Sequence, residues 1–477
     1  MHLNLDKEKT MYKRIAVLLM VLAILTGACS GYQVIRGVQF EPETLGLTPG
    51  STSKELNLNW YGNGDVSQVR FFNEKGVLVT TALGTVIPVS EGKSAHKVSA
   101  KGLKPDTVYS YSVSNDGQNW SYEYSYRTAK TDSFSFACVG DPQLTTGEQD
   151  KTSNLFSADK STAQGWKDTM VKIAAARVDF IAGVGDQVDT QPKGNEAEYQ
   201  NFFAPPELRS IPFAAAVGNH DRHYPFMYHY NLPNEQKFDP IIDATNKNDR
   251  ETGTVEAAGN YWYLYNNALF VVLNTSGYPD SAAAAKPYID RFDKTLSSAT
   301  EANKGKYTWL FVQHHKSTAS VAQHVADTDI QYYVEAGFEK LIDKYNVDFV
   351  LAGHDHVYAR SFVMRGGKPV NTDIEKFTNP GGTIYMTFTT GSGLKYYNIF
   401  DAEGIYVKDN MAYPYLVKNL KGSANYLMGN WPLSTNVPRQ NKKPEYTVVA
   451  VDGKTVTFNT YDIDSDKPID TFTVVKE

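Results

Sequence analysis

Five short motifs fall along this chain in one order: Gly-Asp-Pro-Gln at 140–143, Gly-Asp-Gln-Val-Asp at 185–189, Gly-Asn-His-Asp at 218–221, His314-His315, and Gly-His-Asp-His at 353–356. Four of them open on glycine, and four follow an apolar, β-prone run. A strand that ends in a tight turn at an oxygen or imidazole donor delivers that donor to one edge of a sheet. Repeated along the chain, this pattern constrains the fold to layered α/β with ligands gathered at strand ends. Hard and borderline donors collected in this way are what a pair of bound cations requires.

The rest of the chain fits that frame. Residues 33–128 alternate apolar and polar over short runs (Ser53–Trp60, Gln68–Phe72, Val77–Thr81, His96–Ala100, Val108–Val113, Tyr122–Thr128) separated by Gly, Asn and Asp. This reads as a small antiparallel sandwich. After the polar stretch Thr128–Asp132 the pattern changes to strands alternating with helices. Strands are predicted at Phe134–Val139, Val178–Val184, Ile211–Val217, Tyr261–Asn274, Tyr307–Gln313, Val347–Ala352 and Gly382–Thr390, with hairpin-like Tyr446–Val475 at the end. Helices are predicted at Trp166–Arg177, whose apolar residues 166, 170, 173 and 174 keep the 3.6 period, and around Gln331–Tyr345. The segments 224–260 and 404–443 are long, polar and aromatic-rich, and read as loops over the site.

The order of the five motifs resembles the calcineurin-like metallophosphoesterase superfamily, and the wording Gly353-His-Asp-His-Val-Tyr-Ala-Arg-Ser361 is most similar to its purple acid phosphatase branch. The resemblance covers most of the chain. It implies an amino-terminal all-β domain over 30–129, similar to fibronectin type III, followed by a layered α/β/β/α metallophosphoesterase sandwich over 130–477. Leu103–Tyr109 looks like the tyrosine corner of the first domain and Trp60 like its core tryptophan.

By the same resemblance Asp186 bridges two metal ions. Asp141 and His356 join it on the first ion, and Asn219, His314 and His354 on the second. The donor mixture suits two divalent or mixed-valence ions from among Mn, Fe and Zn. Eight of the ten histidines lie between 220 and 356, which supports a metal site. Two positions depart from the family. Gln143 stands where most of the superfamily has His, and Asp189 where purple acid phosphatases have their tyrosinate, so no tyrosinate-to-iron colour is expected. Gln143 could bind through its amide oxygen, and Asp189 and His315 could ligate or support the ligands. The resemblance makes His220 the group that serves the phosphoryl oxygen or the leaving alkoxide, with Asp221 orienting its ring. His324 and Arg360 are candidates for substrate contact. Cys138 reads as a buried, inert thiol.

The implied activity is hydrolysis of phosphate esters by metal-activated hydroxide, with monoesters favoured over diesters. The rival reading is a non-catalytic surface binding protein with a degenerate metal site. A net charge of −6 argues against nucleic acid as a partner. Two cysteines, Cys29 and Cys138, leave no disulfide scaffold. Lys13-Arg14, the apolar run Ile15–Leu25 and the small residues to Cys29 read as an export signal over 1–29. Cys29 is similar to the acylated cysteine of a bacterial lipobox, although Thr26 stands where Leu is usual. The expectation is a cell-surface or periplasmic lipoprotein touching membrane only through that anchor, with secretion as the alternative.

Overall fold

The computed structural model describes residues 39–90, 92–146, 162–190, 196–221, 224–241, 258–322, 324, 327–371, 373, 375–393, 395–397, 427–428 and 442–477. The export-signal and Cys29 readings, most of the 404–443 segment and 242–257 lie outside these residues.

Eight strands build the amino-terminal part: β1 (Glu43–Pro49), β2 (Leu56–Gly62), β3 (Gln68–Asn73), β4 (Leu78–Leu83), β5 (Thr85–Ser90), β6 (Lys93–Ala100), β7 (Val108–Ser114) and β8 (Tyr124–Arg127). They form two four-stranded sheets ordered β1-β2-β6-β5 and β4-β3-β7-β8. Alternate residues point inward, so Leu56, Leu58 and Trp60 of β2 meet Val69 and Phe71 of β3 in one core. The Tyr109 hydroxyl accepts from the Lys104 N–H at 2.9 Å, the bond that a tyrosine corner makes across a sandwich end. The alternation reading missed β1 and β5. β1 is buried along nearly its whole length, and so lacks the polar half of the pattern.

The second part packs two sheets face to face. One holds β9 (Ser133–Val139), β10 (Phe180–Gly183), β11 (Phe213–Ala215), β18 (Lys376–Thr378), β21 (Glu445–Asp452), β22 (Thr455–Asp462) and β23 (Asp470–Val475), ordered β11-β10-β9-β21-β22-β23-β18. The other holds β12 (Tyr261–Tyr265), β13 (Ala268–Val272), β14 (Trp309–Lys316), β15 (Phe349–Gly353), β16 (Ala359–Arg365), β17 (Lys368–Asn371) and β19 (Thr383–Thr387), ordered β12-β13-β14-β15-β19-β16-β17, with β20 (Leu427–Met428) beside β16. Phe136, Phe180, Phe270, Phe311 and Phe349 stack between the sheets. Helices Thr162–Ala175 and Glu196–Phe203 cover one outer face, and Ala282–Ala302, Thr328–Glu335 and Phe338–Lys344 the other. The layering is α/β/β/α.

Two elements correct the sequence expectation. The predicted strand Tyr261–Asn274 is a hairpin, turning at Asn266 with φ +49° and Asn267. The helix expected around Gln331–Tyr345 is two helices broken at Gly337, whose φ of +109° no helix accommodates.

Candidate metal centre

The parallel strands β9, β10, β14 and β15 place their carboxyl ends together, and the first, second, fourth and fifth motifs begin there. Five of the expected ligands hold left-handed backbone: Asp141 (φ +40°), Gln143 (+39°), Asp186 (+52°), His354 (+75°) and His356 (+43°). Such conformations cost a non-glycine residue roughly 1–2 kcal/mol each, so surrounding structure must impose them. It does so through hydrogen bonds between the loops. Gln143 N–H donates to the Asp186 carbonyl at 2.8 Å and Leu144 N–H to that of Gln187 at 3.0 Å. The His354 N–H reaches both carboxylate oxygens of Asp141, at 3.0 and 2.9 Å.

Glycines leave the volume in which the ligands sit. A Cβ on Gly218 would strike Asp186 Oδ1, one on Gly353 would strike Asp141 Oδ2, and one on Gly185 would meet the His315 ring. At these three positions the glycine is a packing requirement of a side chain from another motif.

Asp186, His315 and His354 present donor atoms within 4.8 Å of one another. His315 Nε2 lies 3.3 Å from Asp186 Oδ2, 3.0 Å from Asn219 Oδ1 and 3.2 Å from His354 Nδ1. The His315 Nδ1 faces the Val184 carbonyl at 2.8 Å, which fixes the ring and leaves Nε2 toward the ligands. On the other flank, His356 sets Nδ1 against the Lys395 carbonyl at 2.9 Å and brings Nε2 to 3.6 Å from Asp141 Oδ1. All of these side chains are buried.

His314 is not among them, and the expectation that made it a ligand is corrected here. Side chains alternate along β14. Gln313 and His315 face the opposing sheet, where Gln313 Nε2 donates to the carbonyls of Gly183 and Ala214. His314 points the other way, under the helices, with its ring 4.9 Å from that of Phe338. Burial pulls its pKa down to about 3, which keeps it neutral. Position 314 belongs to the core and position 315 to the site.

Without ions the electrostatics are those of crowded acids. Burial pushes Asp141 up to about 8, with the Asp186 carboxylate adding to the shift and His315 opposing it. Burial alone would lower His315, but the carboxylates of Asp186 and Asp141 raise it to about 9. Asp186 is held below the usual carboxylate range, against its burial, by His315 and His220. Two carboxylates, an amide oxygen and three imidazoles in one buried cluster fit a pair of divalent cations.

Residues 134–358 match the calcineurin-like phosphoesterase family, and residues 42–128 match the purple acid phosphatase N-terminal domain. The chain carries both domains. The chain is 24% identical over 296 residues to "Probable inactive purple acid phosphatase 27" of Arabidopsis thaliana, covering 56% of this chain and 44% of that protein. The match thus spans less than half the length of that relative. Among solved structures the fold is similar to the purple acid phosphatase PPD1 from yellow lupin (Lupinus luteus) seeds, with TM-score 0.63 and 16% identity over 91% of this chain and 74% of the other. It is also similar to PhoD, with TM-score 0.55 and 12% identity over 92% of each.

Around this cluster, other residues differ from expectation. His220 stands over the cluster with Nε2 3.8 Å from Asp186 Oδ2, and its N–H donates to Asp186 Oδ1 at 2.9 Å. Its Nδ1 abuts the Asp189 carbonyl and lies 3.7 Å from Asp189 Oδ1. Asp189 is therefore a support of His220 and does not join the ligands. Asp221, expected to orient that ring, instead accepts the N–H groups of Gln187 at 2.9 Å, Val188 at 3.3 Å and Gly218 at 2.9 Å. It ties the second motif to the third. Glu198 was not foreseen. This buried carboxylate accepts from Thr190 N–H at 2.9 Å and Asp189 N–H at 3.2 Å, fixing the turn that holds His220.

His324 does reach the site. Its ring lies 4.1 Å from that of His354 and 4.8 Å from that of Tyr397, and its Nδ1 meets Asp327 Oδ2 at 2.6 Å. Asp355, the middle residue of the fifth motif, accepts from the N–H groups of His324 at 2.9 Å and Ala322 at 3.1 Å and so positions that loop. Arg360 packs into the core. It is buried, pairs with Asp470 at 3.0 Å and stacks over Phe472, while Tyr358 also donates to Asp470 at 2.7 Å. Cys138 is buried in the inter-sheet core, where burial raises its thiol pKa.

Proposed function

We propose that this chain hydrolyses phosphate monoesters at a two-ion centre. The observation that carries the reading is the convergence of Asp141, Asp186, Asn219, His315, His354 and His356 beneath a histidine, His220, that the chain itself orients. Asp141, Asp186 and His356 would hold the first ion, and Asp186, Asn219, His315 and His354 the second. When bound, the ions supply Lewis acidity toward the phosphoryl group and toward water.

The chain's own residues do the rest. His220 presents Nε2 to the site while the Asp189 carbonyl holds Nδ1, so Nε2 is the atom that serves the leaving alkoxide. His324 and Tyr397 stand beside His354 and His356. His324 can donate to a phosphoryl oxygen from there as an imidazolium, the form that, against burial, the Asp327 carboxylate at Nδ1 favours. Serine and cysteine nucleophiles have no part in this scheme. The lipobox-like Cys29 and the preceding apolar run support an exported, surface-anchored enzyme that releases phosphate from organic esters.

The relative named as probably inactive favours a second reading, a binding protein that has kept the fold and lost turnover. Elemental analysis of the purified chain, with hydrolysis of p-nitrophenyl phosphate and bis-p-nitrophenyl phosphate, separates the readings. Turnover of the monoester that is lost in His220→Ala supports the proposal. Two bound ions with no turnover of either ester supports the second reading, and faster diester turnover would replace monoesters by diesters.

A further inference from the structure

Gln143 is fully buried, its Nε2 donates to Asp186 Oδ2 at 3.1 Å, and its Oε1 has no partner among the described residues. Its position is not loose. The backbone N–H is bonded to the Asp186 carbonyl, Leu144 and Val188 bridge the two loops, and φ is held at +39°. A buried amide oxygen without a donor is costly, and this amide touches, through its nitrogen, the carboxylate that the two-ion reading shares between both ions.

Resting on the two-ion reading above, we infer that the Gln143 amide oxygen is a ligand of the first ion and makes that position selective for a hard divalent cation of the Mn2+ or Mg2+ kind. The first position then offers two carboxylates, an amide oxygen and one imidazole nitrogen, His356 Nε2. The second offers two imidazoles, His315 and His354, with Asp186 and Asn219. Oxygen-rich sets favour Mg2+, Mn2+ and Ca2+, and added imidazole favours Zn2+ and Fe. The two positions therefore differ in hardness, and residue 143 sets the difference. Amide N and O exchange places by a half-turn, so the same side chain can donate to Asp186 without an ion and ligate with one.

The alternative role for Gln143 is as a hydrogen-bond donor to Asp186 only, and charge separates the two. Glu at 143 keeps the ligand oxygen but loses the donor, and it repels Asp186. Calorimetric titration of the chelator-stripped full chain with MnCl2 and ZnSO4, alongside Mn2+ paramagnetic resonance, reads occupancy without substrate. For Gln143→Glu we expect Mn2+ binding at least as tight as wild type. Gln143→Leu should weaken one ion tenfold or more and leave the other unchanged. Gln143→His should shift preference toward Zn2+ by tenfold or more. The inference is overturned if Gln143→Glu loses Mn2+ as Gln143→Leu does, or if Gln143→His leaves the preference where it was. Thermal melts of each variant confirm folding. Turnover of p-nitrophenyl phosphate is scored separately, so a failure of the hydrolase reading leaves these binding results standing.

Discussion

At the scale of single residues, the adjacent histidines 314 and 315 carry unlike duties, and substitution separates them. His315→Ala should abolish stable ion binding and cut ester turnover by at least about 10²-fold. His314→Leu should retain both ions and stay within about 1 kcal/mol of wild-type stability, because neither ring nitrogen has a hydrogen-bond partner among the described residues. Metal content and denaturant melts check the pair. Titration gives a further test. Asp141 keeps its proton up to about 8 and His315 up to about 9 in the ion-free site, and an incoming cation must displace both. Ion affinity should therefore rise with pH toward 9, and binding should release protons, seen as a buffer-dependent heat in calorimetry. The motifs made Asp141, Asp186, Asn219 and His354 legible because each follows its glycine, and His356 because it closes the same motif as His354. The His314-His315 doublet was not legible in the same way, since only the facing of β14 says which ring turns toward the opposing sheet. Asp221 likewise follows His220 in sequence, yet its oxygens are spent on backbone N–H groups.

Among the elements, β16 and β23 meet through Arg360 and Asp470, buried together and shared with Tyr358. Arg360→Met should leave the Asp470 carboxylate unpaired and cost about 3–5 kcal/mol. KM for a phosphate ester should stay unchanged at temperatures where the variant is folded, and a large rise in KM would restore the substrate-binding role that the motif wording suggested. On the helix Phe338–Lys344, burial raises Glu339 to about 7, with Asp343 one turn away adding to it. The unfolded chain ionises this group near 4.5, so the fold binds the extra proton between about 4.5 and about 7. Stability declines as pH rises across that window, and the cost is complete above it. Glu339→Gln should accordingly stabilise the protein at pH 8, by up to about 2 kcal/mol, and have little effect at pH 4.5. Thermal melts at the two pH values decide it. Element type was read well where period and length agreed, as in the helix Thr162–Ala175. It failed where one residue redirected the chain, at Asn266 and at Gly337.

Across the whole molecule, the sandwich and the phosphoesterase layers share polar contacts. Tyr61 donates to Glu196 at 2.9 Å, which also holds the buried His229 at 2.8 Å, and Asn57 donates to the Asn231 carbonyl at 2.7 Å. Lys97 donates to the Met227 and Tyr230 carbonyls, and Arg127 pairs with Asp179 at 3.0 Å. Residues 39–477 form one compact unit, so calorimetry should show a single cooperative unfolding transition; two well-separated transitions would count against it. By itself the sequence determined the two-part order, the layered class and most residues of the buried cluster, because glycine-flanked donors after apolar runs are local patterns with local causes. Tertiary structure alone decided which histidine of the doublet faces Asp186 and His354, that Asp189 and Glu198 support His220, and that Arg360 serves the core. Those choices depend on what lies opposite each side chain across the sheets, and that neighbour comes from chain far away in sequence.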